Sequence, residues 1–146
     1  MKIFLDADGS PVRKEVVKVA KAYNIELIMI SNVNHDIQES YGKVIQVDQG
    51  IDSADYKILS MASSHDLIIT QDYGLASLAL SKKAYAMHQD GWFFNENNID
   101  TLLSQRALAQ KARISKVRLK GNKKRDPSQN KIFEDALKAF IEKRQS

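Results

Sequence analysis

Five short runs of the chain are apolar almost from end to end: KIFLDA at 2–7, IELIMIS at 25–31, KVIQVD at 43–48, DLIITQD at 66–72 and KAYAMH at 83–88. A strand with one wet face alternates apolar and polar residues. Strands that lack the alternation are covered on both faces, the signature of a parallel sheet. Between the runs the spacing changes to that of helices. Val12, Val16, Val19, Ala20 and Tyr23 share one helical face, as do Ala54, Ile58, Met61 and Ala62. YGLASLALSK (73–82), LLSQRALAQKA (102–112) and a final segment at 128–144 also read as helices, and GWFFNENN (91–98) as a turn or short hairpin. Strand and helix in alternation predict an α/β fold: three layers, α/β/α, with a mostly parallel sheet of about five strands.

The boundaries carry their own signals. Ser10 can cap a helix whose first turn accommodates Pro11. Asp52 can cap the second helix, with Asp55 in its first turn, and Asp72 the third. Asn95 and Asn98 offer caps to the fourth. A basic loop at 115–130 precedes the last helix, and the 146 residues read as a single domain, 1–146.

With no cysteine, disulfides, thiolate zinc sites and thiol nucleophiles are excluded. No apolar run approaches the ~18 residues that span a bilayer, so no membrane partner is expected. The opening lacks the pattern of a secretory leader, and a cytoplasmic location is expected. The net charge is +4, and ten Lys or Arg between Arg106 and Lys131 face one acid, Asp126. Such a segment suits either a polyanionic partner or a solvated surface.

In an open parallel sheet, ligands bind beyond the carboxyl ends of the strands. The first run ends in Asp6 and Asp8. The third ends in Asp48 and leads to Asp52 and Asp55. The fourth ends in Thr70, Gln71 and Asp72. Each acid alone is explained as a cap or a turn residue. Together they repel one another unless a cation sits among them. Mg²⁺ typically takes one or two carboxylates, with water and substrate phosphate completing its shell. An all-oxygen site beside a basic segment fits metal-assisted phosphodiester hydrolysis.

DADGSPV at 6–12, GIDSADYKI at 50–58, LIITQDYGLASLAL at 67–80, NENNI at 95–99 and KRDPSQNKIFEDAL at 124–137 together resemble the YaiI/YqxD family of uncharacterised bacterial proteins. That family is itself similar to the PIN-like nuclease superfamily. The resemblance implies a PIN-like fold and a carboxylate cluster binding Mg²⁺ or Mn²⁺. It makes Asp6 and Asp72 the catalytic acids and metal ligands, with Asp8, Asp52 and Asp55 completing or orienting the site. The implied activity is a metal-dependent nuclease, with RNA ahead of DNA as substrate.

Lys120, Lys123, Lys124 and Arg125 are the candidates for tracking a nucleic-acid backbone. For Arg125 and Asp126 a plain helix start is the slightly favoured reading. Trp92, Phe93 and Phe94 read as core or interface rather than as a base-stacking platform, and His88 as structural. Two alternatives stay open. DADGS also resembles the opening of haloacid-dehalogenase-like phosphatases, in which Asp6 would be a nucleophile and MISN (29–32) the second motif. The other is a non-catalytic RNA-binding protein.

Overall fold

Residues 3–6 form the middle of the sheet because they have neighbours on both sides. The computed structural model describes residues 1–32, 39–48, 53–114 and 124–145, with the backbone alone for 53 and 106–114. The strands are β1 (Ile3–Asp6), β2 (Leu27–Asn32), β3 (Lys43–Val47), β4 (Leu67–Ile69), β5 (Tyr85–Met87) and β6 (Phe93–Phe94). The helices are α1 (Arg13–Ala22), α2 (Ser53–Met61), α3 (Tyr73–Ser81), α4 (Glu96–Ile114) and α5 (Ser128–Gln145). The fold is α/β, with a six-stranded sheet in the order β3-β2-β1-β4-β5-β6. Every pairing is parallel except β5 with β6.

The sixth strand is the departure from the expected five. The Trp92–Phe94 segment turns back at Gly91 and pairs Phe93 with Met87 and Phe94 with Ala86, antiparallel. Gly91 has φ +97°, in the left-handed region that favours glycine.

Alternate residues of the central strands divide between two cores. Ile3, Leu5, Met29 and Ile69 pack with Val12, Val16, Val19, Phe133, Leu137 and Ile141 of α1 and α5 and their approaches. Phe4, Ile28, Ile30 and Ile68 pack with Ile58, Leu75, Ala76, Ala79 and Ile99 of α2, α3 and α4. Burial on both sides is what the unbroken apolar runs encoded. β3, at the sheet edge, has exposed Lys43 and Gln46 instead.

Helix boundaries follow local chemistry. α1 begins at Arg13, and Ser10 is not its cap: the cap position is Val12, which makes no side-chain capping bond. Ser10 instead closes a turn, donating its N–H to the Ala7 carbonyl at 3.2 Å. α4 has a reciprocal cap. Asn95 Oδ1 accepts from the Asn97 and Asn98 N–H groups at 2.8 and 2.9 Å, and Asn98 Oδ1 accepts from Asn95 N–H at 2.9 Å. Asn24 (φ +54°) ends α1 in a left-handed turn closed by Ile25 N–H to Ala20 O at 2.9 Å.

Candidate functional site

From β3 the chain passes through α2 and lays β4 on the far side of β1. The strand order therefore reverses between β1 and β4, and the carboxyl ends of these two strands form the switch point where open α/β sheets bind ligands. Asp6 ends β1 there. Thr70, just beyond β4, donates its hydroxyl hydrogen to Asp6 Oδ2 at 3.0 Å and accepts the Asp72 N–H at 3.0 Å. Asp72 caps α3, accepting Gly74 N–H at 2.8 Å and Leu75 N–H at 3.2 Å on Oδ1. Asp8 Oδ2 accepts the Asn32 N–H at 2.9 Å, tying the loop after β1 to the end of β2.

Burial pushes the Asp6 carboxyl up to about 6; the Thr70 hydrogen bond pulls it down, while Asp8 and Asp72 push it further up. A half-buried carboxylate flanked by two like charges is a place where a cation is favoured. Asp6, Asp8, Ser10, Thr70, Gln71 and Gln89 line a cleft with about 10 Å³ of free space, roughly the room of one water.

The four predicted acids that are described line two cavities. Asp6 and Asp8 share the cleft. Asp55 and Asp72 instead line a neighbouring groove of about 350 Å³ between α2 and α3, walled by Tyr56, Leu59 and Leu78. Asp52 lies outside the described residues. Among the described residues no group of three or more carboxylates or imidazoles is placed to hold a metal ion. The pair that remains suits a cation needing only one or two carboxylates, as Mg²⁺ does, and does not suit a site built wholly from protein ligands.

The predicted nucleic-acid residues also divide. Lys120 and Lys123 lie outside the described residues, and Lys124 is exposed. Arg125 is engaged within the protein. Its Nη1 meets Asp90 Oδ1 at 2.5 Å, Nη2 donates to the Gln89 carbonyl at 2.8 Å and Nε to Asn130 Oδ1 at 2.8 Å. Asp126 accepts the Ser128 N–H at 2.9 Å, so it starts α5, in line with the helix-start reading. Within the aromatic segment Phe94 is core, 3% exposed, while half-buried Trp92 and Phe93 pack against the core and Trp92 stacks on buried His88 at 4.4 Å and 9°. Sequence reasoning missed Gln89, which no motif marks, and Asn130, which sits unremarked inside the KRDPSQN segment.

Fold and site together define a mixed α/β domain with a six-stranded, mostly parallel sheet whose strand-order reversal carries a half-buried aspartate. Compared with known proteins, residues 4–143 match the model described as an uncharacterized BCR, YaiI/YqxD family. The UPF0178 protein of Alkaliphilus oremlandii is 39% identical over 142 residues, 97% of this chain and 92% of its own length. That of Natranaerobius thermophilus is 42% identical over 141 residues, 97% and 96% of the two chains. The chain belongs to the YaiI/YqxD family. No solved structure matches it. Among the described residues no helix is long and apolar enough to cross a membrane.

Proposed function

We propose that the protein is a PIN-like, three-layer α/β/α nuclease that hydrolyses phosphodiesters, RNA ahead of DNA, in the cytoplasm with Mg²⁺ or Mn²⁺. The observation that carries this reading is Asp6, a carboxylate raised to about 6 at the strand-order reversal and hydrogen-bonded to Thr70 from the neighbouring strand. Asp6 and Asp8 would hold the metal, with Asp72 acting on Asp6 across Thr70. A bound divalent ion supplies an acidified water and counter-charge for an in-line displacement. The protein's share is positioning. Thr70 fixes the rotation of Asp6, the Asn32 N–H fixes Asp8, and α3 holds Asp72 by its cap. Lys120, Lys123 and Lys124 would track the nucleic-acid backbone outside the cleft.

The phosphatase alternative needs a hydroxyl from the end of the second strand at the reaction centre. Ser31 is 0% exposed and does not line the cleft. The decisive experiment incubates the pure protein with single-stranded RNA, duplex RNA and DNA, each with Mn²⁺, Mg²⁺ or EDTA. Metal-dependent cleavage that falls at least about a hundredfold in Asp6→Asn supports the proposal. Metal-independent RNA binding unchanged in Asp6→Asn, with no cleavage of any substrate, replaces it with the non-catalytic reading. A phosphoryl group trapped on Asp6 replaces it with the phosphatase.

A further inference from the structure

Besides Thr70 and Gln71 beyond β4, the cleft has two walls from distant parts of the chain. One is the β1–α1 loop, with Asp8 and Ser10. The other is the turn from His88 to Gly91, with Gln89. Both are held from the same place, the start of α5. Arg125 grips the turn through Asp90 Oδ1 at 2.5 Å and the Gln89 carbonyl at 2.8 Å. Its Nε reaches Asn130 Oδ1 at 2.8 Å, and Asn130 Nδ2 donates to the Pro11 carbonyl at 3.0 Å and to Glu15 Oε1 at 3.2 Å. Hydrogen bonds therefore run without a break from one wall to the other.

The platform behind them is the start of α5. Asp126 accepts the Ser128 N–H at the start of α5, between Arg125 just ahead of the helix and Asn130 in its first turn. A β-carbon on Gly91 would lie 3.3 Å from the Ile132 carbonyl and from Phe133 Cα, so the turn rests on the helix backbone to backbone. Arg125 is suited to the task by its planar fork, which serves three acceptors at fixed angles. A lysine is a single charged point on a flexible stem and cannot do so.

We propose that Arg125 and Asn130 are positioning residues that set the separation of the cleft's two walls, and that Arg125 acts through Asp90 and Gln89 rather than on nucleic-acid phosphate. This deepens the nuclease reading and rests on it for its chemical consequence only. The span itself is a property of the fold.

The test uses the full chain, wild type and three variants: Arg125→Lys, Asn130→Ala and the double substitution. Backbone amide resonances give the first readout. Each single substitution shifts amides on both walls, Gly9 and Ser10 as well as Gln89 and Asp90, and leaves those of β3 unmoved. The second readout is Mn²⁺ affinity from paramagnetic broadening at Asp6 and Asp8. It falls about tenfold in each variant, as when a group that orients metal ligands is lost, and the double variant loses no more than either single one. Arg125→Lys keeps the charge, so the salt dependence of binding to a single-stranded RNA oligomer stays as in the wild type. The proposal is overturned if Arg125→Lys moves only the turn and leaves Gly9 and Ser10 in place. It is equally overturned if each variant shifts a wall of its own. Should Arg125→Lys fail to fold, Asn130→Ala decides alone by the same two-wall criterion. A wild-type protein that binds no Mn²⁺ removes the nuclease reading, and the amide shifts still decide for or against the strap.

Discussion

Two carboxylates in this molecule are held in opposite states. Asp6, at the switch point, is pushed up to about 6, chiefly by burial; the Thr70 hydroxyl donates to it, and its charged neighbours are Asp8 and Asp72. Glu134, 4% exposed on α5, is held down at about 2, first by Lys18 of α1 and then by Lys131 and Lys138. Its three ammonium groups lie 3.1, 3.2 and 3.4 Å away. Burial raises Asp6, whereas at Glu134 the lysine partners outweigh it. Glu134 is satisfied and ties α1 to α5. Asp6 is held in a position that costs stability, and the proposed function is built on it.

The contrast breaks most readily at Asp6. Its carboxyl is harder to ionise in the folded chain, so the penalty is absent at low pH, grows between about 4 and about 6, and persists above. Asp6→Asn removes it. Urea unfolding should show the variant more stable than wild type by on the order of 2 kcal/mol at pH 8 and equal to it at pH 3.5. A variant less stable at pH 8 would mean that Asp6 is a structural group like Glu134.

Glu134→Gln should act in the other direction, with a loss of about 1.5 kcal/mol at pH 7. The depressed carboxyl gives stability that is present above the ordinary glutamate range and fades as pH falls toward about 2. The difference between variant and wild type should shrink with acid and also in 1 M salt, because Lys18 and Lys131 are well exposed. No salt dependence would leave the lysines without a part in the effect.

Asp72 lies between the two cases, since it caps α3 and also acts on Asp6. Asp72→Ala should lose about 1 kcal/mol, and Asp72→Ser should recover most of it because serine also caps. Thermal unfolding reads this directly. Cleavage should be lost in both. If serine restores cleavage as well, Asp72 is a cap and nothing more.

Much of this is legible in the amino-acid sequence. The unbroken apolar runs gave the parallel sheet, because burial on both faces leaves that imprint on sequence. Asp72 and Asn95 were readable as caps because capping is a local matter of a few residues. The grouping of the acids was not readable. Asp6 and Asp8 are two residues apart on a strand end, while Asp72 turns into its helix and fronts a different groove with Asp55. Side-chain direction after a strand depends on the turn that follows, and periodicity does not encode it. Arg125 shows the same limit. Its charge suggested phosphate, but its partners Asp90 and Gln89 lie 35 and 36 residues away and no local pattern points to them.

The Thr70–Asp6 hydrogen bond joins residues 64 apart, and the Asn130–Pro11 bond joins residues 119 apart. Contacts of such long reach require the entropy of closing large loops to be met. As the chain leaves the ribosome, β1, α1 and β2 can pair while Asp6 still lacks β4 beside it, and the α5 strap cannot close until nearly the last residue is made. A chain cut short before residue 125 would therefore carry its aspartates in a cleft whose two walls are not tied to each other.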